Sequence, residues 1–240
     1  MLFNTQIRPR LPTLFATVAL FANGLAFSAE PVKFVNIYVQ PYYESAKDAA
    51  GAPTVNTSKD HNVLLASSKQ ADIVKARDDI AQKNELITPI TLAILAIRLY
   101  DVGLRDDAVF WFYVAKDRFA TLATVSDMSA SNLMQVADAF KNFSVLAGPV
   151  INGYAFCDLE KQRKIRQKAM KWVKDNPYKA LFLPQIPAVA GDRKQNLTSG
   201  LVVLEAKMTK ELAYTADPKN VITIKQTRAQ NDMDAKFCWK

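Results

Sequence analysis

Between Thr88 and Gly103 the chain carries a helix with its own start and stop signals. Thr88-Pro89 offers an N-cap hydroxyl followed by a proline in the first turn, where a missing N–H costs nothing, and Gly103 suits the left-handed position that closes a helix. Asp106 and Asp107 then open a second helix at the end where the macrodipole favours negative charge. Ala108, Trp111, Phe112, Ala115 and Phe119 recur at helical spacing along its buried side. The two helices follow one another at once and therefore form a tight antiparallel hairpin.

The remainder reads as more of the same architecture. With only 7 Gly among 240 residues, a hairpin-dense all-β design lacks the residue its tight turns need. A chain that is 50% hydrophobic and 22% charged is large enough to bury one good core. Ile73, Ala76 and Ile80 mark a helix within Ser67–Gln82, and Leu133, Val136, Ala137, Phe140 and Leu146 mark another that Gly148-Pro149 is expected to end. Asp158 is a candidate cap for a long helix with Leu159, Ile165, Ala169 and Trp172 inward, stopped by Asn176-Pro177. Residues 181–190, with Pro184 and Pro187, read as an extended segment. Thr198 or Ser199 is expected to cap a helix with Leu201, Leu204, Met208 and Leu212 buried, ending at Asp217-Pro218, before a short strand at Val221–Ile224. Phe34–Val39, between Pro31 and Pro41, reads as a short strand or extended arm, and residues 45–58 as a loop. The expected fold is mostly α: a compact bundle of antiparallel helical hairpins with that strand or arm at its N-terminus, in a single domain spanning residues 29–240.

Leu95, Ala96, Gly103, Ala108, Phe112 and Ala115 fall in the order and spacing of a tetratricopeptide repeat, and residues 89–122 resemble one such unit. Arg105 stands where that motif has an aromatic residue and Ala120 where it has proline, and no clean second copy follows. The resemblance implies a rigid helical scaffold for contacts with another protein.

Residues 1–28 have the layout of a secretory signal: Arg8 and Arg10, an apolar run from Leu14 to Phe27, and Ala26-Phe27-Ser28 at a cleavage site after Ser28, with Ala29 as the alternative. A retained N-terminal anchor is the competing reading, and no other run reaches membrane length. Cleavage removes two arginines and no acid, so the formal charge of +8 falls by two to +6. In a periplasmic or secreted protein that basic surface points to an acidic protein or the anionic envelope before nucleic acid. Cys157 and Cys238, alone in an oxidising compartment, are expected to form a disulfide that staples the aromatic tail Phe237-Cys238-Trp239, against the alternative of two separate thiols.

Catalytic signals are sparse. His61, the single histidine, lies in the polar Asp60-His61-Asn62 stretch and is expected in an exposed loop, which leaves zinc without its usual ligand set. No glycine spacing fits a nucleotide loop, so no cofactor is expected. Asp78-Asp79 and Asp106-Asp107 are neighbours on helices, point to different faces and cannot converge on one substrate. Lys161, Arg163, Lys164, Arg166, Lys168, Lys171 and Lys174 crowd one helix, and Lys161, Lys164, Lys168 and Lys171 are the candidate residues for gripping an acidic partner; a solvated helix face is the other reading. Phe110-Trp111-Phe112-Tyr113 covers every face of its helix, as a helix packed on several sides requires.

The expectation is a non-enzymatic exported protein that binds another protein. Its size, export signal, single disulfide and lack of a catalytic set are similar to those of periplasmic immunity proteins that neutralise toxins from neighbouring bacteria. An envelope-acting enzyme or ligand-binding protein, with carboxylates assembled from distant segments, and an assembly factor of an envelope complex are the alternatives.

Overall fold

The computed structural model describes residues 30–35 and 59–239. Among these residues the secondary structure is helical throughout, with no strand. The signal segment 1–28, the loop 45–58 and residues 36–39 of the expected strand lie outside the described part.

Helix α1 (Lys59–Ala66) and α2 (Gln70–Gln82) lead into α3 (Pro89–Asp101), which sits at the centre of the bundle. Every α3 residue except Arg98 and Asp101 is buried, the pattern of a helix covered on all sides. Thr88 caps it, accepting a hydrogen bond from the Thr91 amide at 3.1 Å, and Gly103 turns the chain at φ +90°, a conformation that a side chain would strain. The returning α4 (Arg105–Val125) packs along α3 and also touches α5, α6 and α7. That explains its aromatic tetrad: Trp111 meets Trp172 edge to face at 5.2 Å, while Phe112 and Tyr113 are buried on other sides of the same helix. About two turns further on, Phe119 stacks on Phe140 at 4.2 Å.

Arg118, also on α4, is fully buried, with no carboxylate partner among the described residues. Its guanidinium donates to the carbonyls of Asn84 (2.8 Å), Ile87 (3.1 Å) and Asn176 (2.9 Å) and lies between the rings of Trp172 and Tyr178. One side chain thereby ties the α2–α3 link to the C-terminal end of α6 (Leu159–Asp175), where carbonyl dipoles favour a cation. Burial pulls its pKa down to about 10, so it remains protonated at neutral pH.

Several elements differ from the sequence reading. Helix α5 (Ser131–Ala155) runs straight through Gly148-Pro149 instead of ending there. Pro149 removes a helical hydrogen bond, but it faces solvent, where the freed carbonyl can be hydrated, and Phe143, Ala147, Ile151 and Ala155 continue the buried stripe past it. Leu146, expected in that stripe, is exposed. After a 3-10 turn (Lys179–Phe182) and an irregular segment, α7 (Arg193–Ala216) starts at Asp192, whose carboxylate accepts from the Gln195 amide, and not at Thr198 or Ser199. The expected strand Val221–Ile224 is part of α8 (Pro218–Gln230). Asp217-Pro218 ends one helix and starts the next, with the Asp217 carboxylate accepting from the amides of Lys219 and Asn220. A last short helix, α9 (Met233–Phe237), carries the tail. His61 lies on α1 and is buried, not in an exposed loop.

The described N-terminal residues form an arm without strand pairing. Val32 donates to the Lys236 carbonyl at 2.6 Å and accepts from the Tyr100 hydroxyl at 3.0 Å, and the Val35 amide donates to Asp101 at 2.9 Å. The arm thus fastens the tail to the central helix.

Candidate binding groove

The C-terminal end is docked by several independent contacts. Cys157 and Cys238 form a disulfide, with Cα atoms 5.6 Å apart. Arg228 of α8 reaches beneath it: Nη2 lies 3.3 Å from the Cys157 sulfur and 3.2 Å from that of Cys238, while Nε donates to Asp234 at 2.7 Å. The Phe237 ring lies flat over Gly153 of α5, so close that a Cβ at that glycine would come within 2.7 Å of the ring. Beyond the disulfide, Trp239 stacks under the Arg105 guanidinium at 3.7 Å.

This docking fixes α8 as a wall. It packs on α7 and α9, buries only Arg228 within itself, and leaves a groove of about 880 Å³ between itself and α5. Val145 and Pro149 of α5 and Phe156 just past its end form one apolar side; Tyr214 from the end of α7, Ile224 and Met233 form the other. Asn152 and Asn231 supply amides, and among the described residues the charged lining is Arg228 and Lys236. Among the described residues no carboxylate lines the groove. It is open to solvent, since Val145 and Tyr214 retain 63% and 53% of their exposure. Isolated apolar residues are ordinary on a surface, but a continuous apolar cleft is the usual mark of a binding site.

Behind the groove runs a buried polar network. Asn152 accepts from the Tyr113 hydroxyl at 3.4 Å, and Gln162 donates to that hydroxyl at 3.1 Å and to Glu211 at 3.3 Å. Arg166 then grips Asp117 with both arms, at 2.6 and 3.0 Å, and Glu211 with Nε at 3.2 Å. Burial pushes the Tyr113 phenol up to about 12 and raises the Asp117 pKa against the opposing pull of Arg166. Asp117 and Glu211 come together from distant segments, and Arg166 holds both as a tie between α4, α6 and α7. Neither lines the groove.

The basic face expected on α6 is broken up by pairing. Lys161 meets Asp106 at 2.9 Å and the Tyr154 hydroxyl, Lys164 meets Glu160 at 2.6 Å, Lys171 meets Asp175 at 2.5 Å and Lys174 meets Glu205 at 3.1 Å. Arg163 donates to the Thr215 carbonyl, and Arg166 is inside. Lys168 is exposed and makes no ion pair among the described residues. The paired aspartates also part company: Asp78 and Asp107 pair with Arg77, Asp79 with Lys75, and Asp106 with Lys161. Among the described residues no three His, Cys, Asp or Glu side chains gather as a metal site.

A protein of Haemophilus influenzae, described as uncharacterized, is 33% identical to this chain over 225 residues, which make up 94% of this chain and 87% of the relative. The chain belongs to that protein's family. A similarity of this extent spans far more than the hairpin at 89–122. No family model matches the chain, and no solved structure does.

Proposed function

We propose that this is an exported protein that works by binding another protein, with the groove between α5 and α8–α9 as its docking surface. The observation that carries the reading is the groove itself, an apolar cleft left open beside a wall that a disulfide, a buried arginine and a docked aromatic tail hold in place. A wall fixed before binding loses little freedom on binding, which is what makes a rigid surface effective for recognition. Export is supported by the signal-like segment at 1–28 and by the bonded cysteines, which persist in oxidising compartments. No described helix is long and apolar enough to cross a membrane. Asp117 and Glu211, the acids from distant segments behind the groove, are both engaged by Arg166. The similarity to immunity proteins makes a toxin from a neighbouring bacterium the first partner to try.

The test is retention of envelope proteins on the immobilised full-length exported chain, compared with its Val145→Glu variant. Val145 is exposed, so the substitution leaves the core intact. A stoichiometric partner held by the wild type and lost by the variant supports the reading. Equal retention by both, or none by either, refutes it.

A further inference from the structure

We infer that the bound segment of the partner is an amphipathic helix whose polar face carries carboxylates; this rests on the protein-binding reading and names the chemistry of the partner.

Shape points to a helix. The α5 wall from Ser144 to Phe156 is roughly 18 Å long at 1.5 Å per residue, room for about three turns of a docked helix. Both long walls are helices whose backbone groups, apart from the one carbonyl that Pro149 leaves free, are paired within themselves, so the groove offers no strand edge to an extended peptide. Such a peptide would press unpaired N–H and C=O groups against Val145, Phe156 and Ile224, whereas a helix satisfies its own. An acyl chain is a poorer occupant. Sites for small ligands enclose most of the ligand's surface, and this groove leaves one long side in water.

Charge decides the polar face. Among the described residues the lining carries Arg228 and Lys236 and no acid. Arg228 already shares its charge with Asp234, but Lys236 donates only to the Asn231 carbonyl and makes no ion pair among the described residues. A helix presenting glutamates or aspartates beside its apolar stripe meets complementary charge, and one presenting lysines meets repulsion next to an apolar floor. The surplus of Lys and Arg over Asp and Glu in the whole chain acts in the same direction.

The experiment places a photo-crosslinking phenylalanine analogue at Val145 of the full exported chain, and separately at Val203, an exposed residue of α7 outside the groove lining. The crosslinked segment is identified, and the peptide of that sequence is synthesised alongside a version with each acid changed to lysine. The expected result is a Val145-specific crosslink to a segment with apolar residues at helical spacing and acids between them. The peptide gains helicity on binding, and the lysine version binds at least tenfold more weakly. Val145→Glu weakens the peptide at least tenfold and Lys236→Glu at least threefold, with the circular dichroism and the disulfide unchanged. A crosslinked protein segment that lacks acids, that stays extended when bound, or whose lysine version binds equally well overturns this inference and leaves the protein-binding reading standing. Crosslinks at Val145 to lipid alone, or to nothing, overturn both.

Discussion

Replacing both cysteines by serine should lower the stability of the protein by about 4 to 5 kcal/mol. The closed loop has a sequence separation of 81 and contains α6, α7, α8 and α9, so the bond restrains a large part of the unfolded chain. In the chain-entropy treatment a loop of that length corresponds to a loss of roughly 15 cal/mol/K, or about 4.5 kcal/mol at room temperature. For a domain of this size that amounts to a fall in melting temperature of roughly 9 to 18 °C. The effect is not confined to the unfolded state, because Arg228 loses the two sulfurs it lies against and the tail is left with Phe237 on Gly153, Trp239 on Arg105 and Val32 on Lys236. Urea unfolding of the wild type and the Cys157→Ser/Cys238→Ser variant measures the first effect, and amide exchange in α8 and α9 measures the second. A double variant within about 1 kcal/mol of the wild type, with α8 and α9 equally protected, would show that the staple is not what holds the wall.

Three further outcomes follow from the packing. Gly153→Ala should cost about 1 to 3 kcal/mol by overpacking against the Phe237 ring, and the penalty should shrink when Phe237→Ala is added, a coupling that a double-mutant cycle of urea midpoints reads directly. Arg118→Met should cost about 3 to 5 kcal/mol, because the carbonyls of Asn84, Ile87 and Asn176 lose a buried donor together; thermal unfolding showing less than about 1 kcal/mol would mean that these links are carried by other contacts. Tyr113, raised in the fold to about 12, contributes stability that is complete below the ordinary tyrosine value near 10 and is lost as pH rises through about 12. Between those values the wild type should therefore lose roughly 3 kcal/mol relative to Tyr113→Phe, and parallel melting curves for the two proteins across that window would refute the assignment.

What the sequence disclosed was whatever its chemistry expresses locally. The α3–α4 hairpin was legible because Thr88, Pro89, Gly103, Asp106 and Asp107 each act within one turn of their own position. The disulfide followed from there being two cysteines behind a segment that reads as an export signal. Pro149 was misread because its penalty is local, whereas the packing that overrides it lies on the opposite side of α5. Val221–Ile224 read as a strand from its β-branched residues, yet the Asp217-Pro218 cap just before it starts a helix. Arg166 looked like one more surface cation; its partners Asp117 and Glu211 are 49 and 45 residues away, and no local pattern records such a distance. The groove was hidden for the same reason, since its walls come from α5 and from α7 to α9 and acquire meaning only once the tail is docked. Signals for it existed singly: Gly153 in a helix interior, and a tail ending in Phe237, Cys238 and Trp239.

Hydrogen–deuterium exchange of the protein, free and in complex with the captured partner, tests the central claim most directly. New protection is expected to concentrate in residues 144–156, at the end of α5, and in 214–236, from α7 to α9, with little change along the outer face of α6. Protection centred on Lys164, Lys168 and Lys171 instead, with the groove unchanged, would contradict it and return the binding surface to the basic helix.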